Sequence, residues 1–145
     1  MVEGSRRSVA LLAIQPRYAS QLMDGSKRVE FRKTKFKQDV GRVFVYASSP
    51  VKQVVGFFEV EELVEATPQV LWERYKAVGG IDEADYKAYY GDARLGVAIV
   101  VGEVKRFDSP LDLAELTGSA VPPQSFAYLK SSETEQAYAQ LILEL

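Results

Sequence analysis

Apolar positions along the 145-residue chain change period several times, and each change marks an element. From Ser8 to Gln15 the run Val-Ala-Leu-Leu-Ala-Ile is continuous, the pattern of a strand covered on both faces. Pro16 can then open a helix at its first turn, with Tyr18, Ala19, Leu22 and Met23 at helical spacing on one side. Gly25 closes that helix by taking the left-handed conformation. Next, Val29 and Phe31 alternate with Arg28, Glu30 and Arg32, which predicts a half-buried strand with its charged side chains lining an open cleft. Asp39-Val40-Gly41 has turn chemistry, and Arg42 to Tyr46 resumes as a strand rich in Val, Phe and Tyr. Ser48-Ser49-Pro50 leaves the sheet, because proline cannot donate to a ladder. Val51 to Glu65 reads as one long strand, or two joined at Gly56, where a bulge lets the sheet curl.

In the second half, Pro68 starts a helix carrying Leu71, Trp72 and Tyr75, and Gly79-Gly80 breaks it. Asp82 caps the next helix, which presents Tyr86, Tyr89 and Tyr90 at i, i+3, i+4. Three tyrosines on one face either pack a core or stack on bases. Leu95 to Val104 is the last long strand, Asp108-Ser109-Pro110 punctuates, and Leu111 to Leu116 makes a short helix. Pro122-Pro123 stiffens the approach to Gln124-Ser125, which places Ser125 at or near a helix start where free N–H groups accept anions. Glu133 to Leu145 reads as an amphipathic closing helix. Five or six strands with glycine bends, interrupted by short helices, predict an α+β fold around a small barrel, as one domain over residues 1–145.

Composition narrows the chemistry. At 47% hydrophobic and 26% charged, the chain has the balance of a globular protein. No apolar run approaches the roughly 20 residues of a membrane helix, and Val9 to Ile14 is too short for a signal peptide, so a cytoplasmic location is expected. The chain has no histidine and no cysteine, which excludes a Ser-His triad, a thiolate nucleophile and a Cys/His zinc site. Acid-base work would fall to Lys, Glu, Asp or Tyr. No Asp-rich loop has metal-ligand spacing, so neither metal nor cofactor is expected.

Charge singles out the candidate site. Lys27 to Lys37 holds six cations and one acid, a charge of +5 within a chain whose net charge is -2. Alternate residues on one strand face sit about 7 Å apart, so Glu30 lies between the guanidinium groups of Arg28 and Arg32, with Lys27 at the turn where the strand begins. That constellation suits an anionic, polar ligand, although a solvated edge strand with protective lysines has the same pattern. An acidic domain with a single basic strand fits a short, single-stranded or mononucleotide-sized ligand better than long duplex DNA. Ser48 and Ser49 could add hydroxyl contacts to a phosphate or ribose, and turn formation alone also explains them.

The spacing Gly25-x-Lys27-x-x-Glu30-x-Arg32 resembles the G-x-K-x-x-E-x-R signature of the ASCH family. Tyr46-Ala47-Ser48-Ser49-Pro50 with Val51 to Val60 is similar to that family's second strand pair, and Pro122-Pro123-Gln124-Ser125-Phe126 to Tyr128 is similar to a segment near the end of its bacterial single-domain members. The resemblance spans about residues 9 to 130 and implies a PUA-like β-barrel with flanking helices. It also implies RNA or nucleotide as partner, with Lys27 and Arg32 on phosphate and Glu30 accepting from a base edge or ribose hydroxyl. Some relatives are amidohydrolases acting on acetylated cytidine, others have been described as ribonucleases, and a role in transcriptional coregulation through a protein partner has been proposed. In the amidohydrolase branch a threonine stands at the Glu30 place and a glutamate partner lies in the later helical region. Here the stretch around Val78-Gly79-Gly80 is not acidic, which weakens that reading. A Lys27–Glu30 pair could still act as base and acid if burial lowered the lysine pKa.

Overall fold

A computed structural model describes residues 7–130, 132–135 and 139. The elements are β1 (Ser8–Ile14), α1 (Pro16–Asp24), β2 (Val29–Arg32), β3 (Val40–Ala47), β4 (Gln53–Ala66), α2 (Pro68–Tyr75), α3 (Glu83–Tyr90), β5 (Gly96–Asp112), α4 (Leu113–Thr117) and β6 (Phe126–Tyr128). A short 3-10 turn, Lys76–Val78, follows α2. The strands form one sheet in the order β2-β5-β4-β3-β1-β6. Only β1 and β3 run parallel; the other neighbours are antiparallel.

The sheet curls because β4 and β5 are long and bulged. They pair from Gln53–Asp112 to Ala66–Gly96 with three register shifts, one of them at Gly56. A bulge adds a residue on one strand and increases local twist, so successive bulges turn a sheet into a half-barrel. Gly56 is required at its bend, since a Cβ there would lie 2.2 Å from the Lys105 carbonyl oxygen and 2.6 Å from Met23 Sδ. Helix α1 fills the hollow, with Ala19, Leu22 and Met23 packed against Leu12 and Ile14 of β1, Val43 and Val45 of β3, Phe58 of β4 and Ile99 of β5. On the other face of β1, Leu11 joins Phe44, Phe57, Phe107 and α4's Leu113 and Leu116. The continuous apolar run of β1 thus serves two cores at once. A third core, Val29, Phe31, Leu71, Tyr75, Tyr86 and Tyr90, seats α2 and α3 against β2.

The curl leaves two edge strands, β2 and β6, and brings their ends together. Arg32 closes β2 and donates from Nη2 to the Ser125 Oγ at 2.5 Å and to the Ser125 carbonyl at 3.3 Å. The seam of the half-barrel is therefore bridged by a side chain and not by a strand ladder. Tyr128 ties down the loop after β2, its hydroxyl accepting from the Lys37 and Gln38 N–H groups at 3.0 and 3.2 Å.

Several expected boundaries move. The last long strand, expected over Leu95 to Val104, runs from Gly96 through Asp108-Ser109-Pro110 to Asp112, and the short helix expected over Leu111 to Leu116 is Leu113–Thr117. Pro110 lies in the 107–110 stretch between the Gly56–Arg106 and Val54–Leu111 pairs, where β5 has no partner in register on β4, so it removes no ladder bond. Ser125 does not begin a helix; Phe126–Tyr128 form a strand on β1, whose Phe126 and Tyr128 rings close on Phe36. The strand expected from Val51 begins at Gln53, after a turn. Residues 132–135 are helical, and most of the closing helix expected over Glu133 to Leu145 lies outside the described residues.

Gly56→Ala forces a Cβ into the β5 backbone and is expected to cost about 1–3 kcal/mol. The measurement is the urea midpoint, which should fall at unchanged slope; an unmoved midpoint would show that the β4 bend has room to spare.

Candidate functional site

The site begins with a lysine taken out of water. After Gly25 (φ 86) ends α1, the chain turns back and Lys27 N–H bonds the Gln21 carbonyl, so Lys27 points under the helix. The residue is 2% exposed. Its Nζ donates to the Gly79 carbonyl, lies 3.7 Å from Glu30 Oε1, and stands 5.2 and 5.4 Å from the ring centres of Tyr18 and Phe31. A buried ammonium needs such partners, because desolvation otherwise drives it neutral. Burial still lowers the Lys27 pKa below its ordinary 10.5, partly offset by Glu30.

Glu30, 7% exposed, joins two cations. Its Oε2 accepts from Arg32 Nη1 at 3.1 Å, while Oε1 faces Lys27 at a distance too long for a hydrogen bond. Oε1 therefore keeps accepting capacity. Arg32 continues to Ser125, giving a line Lys27–Glu30–Arg32–Ser125 from beneath α1 to the seam. The Tyr90 hydroxyl donates to the Arg32 carbonyl at 2.9 Å and fixes the end of β2.

Above this line lies a cleft of about 510 Å³, walled by Tyr18 and Arg17 of α1, Ile81, and Asp85 and Tyr89 of α3. Arg17 pairs with Asp85 at 3.4 Å across the rim, both side chains being more than half exposed, so this contact is weak and salt-sensitive. Tyr89 is 38% exposed, and Lys33 Nζ sits 5.2 Å from its ring centre. Its two neighbours behave differently. Tyr86 and Tyr90 are 3% exposed and belong to the third core, where burial pushes the Tyr86 hydroxyl up to about 12 and Tyr90 far above its ordinary range. Of the three tyrosines, only Tyr89 is exposed and lines the cleft.

The sequence-based candidates are divided by the fold. Lys27, Glu30 and Arg32 meet in the cleft, and Ser125 reaches them through Arg32. Glu30 is buried in a two-sided ion pair, not held open as the strand alternation predicts, because α1 and the Gly79 loop cover that face of β2. Arg28 has the same parity as Glu30 but lies toward the far end of α1, its Nη2 donating to the Val101 and Gly102 carbonyls at 2.8 and 3.3 Å beside Asp24 and Glu61. Ser48 and Ser49 stand in the turn after β3; the Ser48 N–H bonds Ile14, a cleft residue, but neither serine lines the cleft. Gln124 is exposed ahead of Ser125.

The sequence pattern misses Gly79-Gly80 as part of the site. A Cβ on Gly79 would lie 2.8 Å from the Phe31 ring, and one on Gly80 (φ 67) would meet Gln21 Oε1 at 2.5 Å and the Lys27 stem at 3.1 Å. Only glycine lets this loop press on the lysine. The doublet itself, more flexibility than a helix break needs, was the available signal. Among the described residues no group of three carboxylates is placed to hold a metal ion, and no helix is long and apolar enough to cross a membrane.

A mixed α+β half-barrel with a basic cleft at its seam defines the class. Residues 12–118 match the ASCH domain, and the chain belongs to the ASCH family. It is 29% identical over 134 residues to an ASCH domain-containing ribonuclease of Zymomonas mobilis, covering 90% of both chains. The crystal structure of ASCH from Zymomonas mobilis superposes with a TM-score of 0.84 at 28% identity, over 90% of this chain and 94% of that one. A stretch of 121 residues, 83% of this chain, is 33% identical to large ribosomal subunit protein uL22 of Ureaplasma parvum, of which it covers 39%.

Lys27 also predicts a pH dependence. Its folded pKa lies below 10.5, so between the two values the unfolded chain binds the extra proton, and stability rises with pH through that window. Tyr86, Tyr89 and Tyr90, raised in the fold, act oppositely above about pH 10. Urea unfolding of the wild type and of Lys27→Met cancels the tyrosines. The wild type should gain on the variant as pH climbs from 7 toward 10, and a difference that stays flat or shrinks refutes the buried, proton-shedding lysine.

Proposed function

We propose that the domain binds single-stranded RNA, with a phosphate on Arg32, a base against Tyr89 and a base-edge or ribose donor on Glu30. The observation that carries this reading is the Lys27–Glu30–Arg32 line on the floor of the cleft. One carboxylate shared by two cations leaves a fixed positive charge beside a free acceptor oxygen, and an aromatic wall stands opposite. Phosphate, base edge and base face each find a partner of the right chemistry. Lys27 is too deeply covered to grip a phosphate itself, so its part is to hold Glu30 in place. The name of the Zymomonas mobilis relative points to RNA by analogy.

The same name, together with the lowered Lys27 pKa, favours a second reading in which the bound RNA is hydrolysed. Glu30 would then take or give the proton, with Lys27 beside it controlling its charge.

Binding should weaken with salt, at a slope of roughly -1.5 to -3 for two to four phosphate contacts, and Arg32→Ala should cost about 1.5–3 kcal/mol. Fluorescence anisotropy with a labelled RNA decamer measures both; a salt-independent affinity, or an Arg32→Ala variant that binds as wild type, contradicts the assignment.

Glu30→Gln separates the two readings. If RNA is only bound, no decamer is consumed by the wild type. Cleavage by the wild type that Glu30→Gln abolishes while affinity stays within a few-fold would establish hydrolysis.

A further inference from the structure

We infer that the cleft is built for a dinucleotide step, with the bridging phosphodiester at Arg32 and the two nucleosides on either side of it, and not for a free mononucleotide. This rests on the RNA reading above and specifies its ligand.

The cleft is one of two hollows that meet at the same residues. The larger, about 510 Å³, lies on the Tyr18 and Glu30 side of Arg32. The smaller, about 200 Å³, lies on the seam side, floored by Leu12, Phe36 and Phe126 and rimmed by Lys33 and Thr34. Arg32 and Tyr89 line both. A guanidinium standing between two part-aromatic hollows is placed as a bridging phosphate between two bases requires.

The hydrogen bonding of Arg32 agrees. Nη1 donates to Glu30, and Nη2 donates to the Ser125 carbonyl and Oγ. These bonds hold the plane of the group while the Nε–H and one Nη1 hydrogen have no partner among the described residues. The Ser125 hydroxyl, accepting from Arg32, keeps its own proton for the same phosphate oxygen.

The charge of the site matches a diester. Arg32 carries Glu30 at 3.1 Å, so an anion at the guanidinium also meets a fixed carboxylate. A phosphodiester brings one negative charge, whereas a terminal phosphate brings about 1.5 to 2 near neutral pH. Lys27, Glu30 and Arg32 together leave one net positive charge, which a single phosphodiester charge matches, while Glu30 offsets part of what a second charge would gain. The apolar floor of the seam hollow, with Lys33 at its rim, adds a reward that only a second nucleoside collects.

Calorimetric titration at 50 mM salt with ApA, CpC, GpG and UpU, each beside its 3′- and 5′-mononucleotides, tests this, with an RNA decamer as reference. At least one dinucleotide should bind about tenfold or more tightly than both its mononucleotides, the gain from one stacked base. Thr34→Trp, which fills the seam hollow from an exposed position, should bring that dinucleotide down to the mononucleotide level. Mononucleotides that match their dinucleotides, a decamer that binds while every dinucleotide fails, or a dinucleotide advantage that survives Thr34→Trp would each overturn the inference and leave RNA binding standing. Failure of the decamer as well would remove the RNA reading itself.

Discussion

The desolvated ammonium of Lys27 is the constraint from which the rest of the site follows. An isolated charge at that depth is unaffordable, and the fold answers with parts drawn from three places in the chain. The Gly79 carbonyl comes from the loop after α2, the Tyr18 ring from α1, and Phe31 and Glu30 from β2. Each contact fixes the element that supplies it. Gly79-Gly80 can approach only without side chains, α1 must lie across the mouth of the curl, and β2 must present Glu30 inward. Glu30, once inside, needs a second cation for its other oxygen, which sets Arg32 and, through it, the seam to Ser125. Removing any one partner leaves a buried charge exposed to low dielectric, which is costlier than the intact network is stabilising.

Much of the architecture was legible because its causes are local. The two-faced apolar run of β1, Pro16 and Gly25 at the ends of α1, Pro68 and Asp82 at helix starts, and the Gly56 bend all act within a few residues of themselves. The Lys27, Glu30 and Arg32 spacing is local too, and the fold gathers all three. What was not legible depends on distant neighbours. Pro110 sits within a strand because the β4–β5 register breaks between Val54 and Gly56 and leaves no partner opposite it, a fact about a distant strand. Arg28 parts from Glu30 because it stands one residue before β2 and its guanidinium reaches the Val101 and Gly102 carbonyls of β5, partners that alternation along the chain does not reveal. Ser125 reads as a helix start from its prolines, but Phe126 and Tyr128 have rings that Phe36 can receive, and the strand wins.

The three tyrosines of α3 show the same division at finer scale. Their i, i+3, i+4 spacing places them on one helix face, yet that face straddles the edge of a core. Tyr86 packs on Phe31 and Trp72, and Tyr90 is stopped by Gly96, which has no Cβ to hold it off. Tyr89, at the border, keeps one side for the cleft and meets Lys33 there. Core packing and cleft exposure are thus assigned residue by residue on a single helical stripe.

A network of buried charge is a poor way to gain stability and an effective way to fix geometry. Apolar replacements of Lys27 and Glu30 would fill the same space without paying for desolvation, but they would also release Arg32, whose orientation rests on Glu30 on one side and Ser125 on the other. A guanidinium held at both ends loses little side-chain freedom when an anion arrives, so less of the contact is spent on ordering it. The seam gives this its purpose. Because β2 and β6 are joined there by a side chain and not by backbone ladder bonds, Arg32 and Tyr89 line both hollows at that join, where the proposed phosphate would sit. A fully closed barrel would be free of edges, yet it would replace that join with backbone ladder bonds; the half-barrel leaves the join to a guanidinium, where the proposed ligand could bridge it.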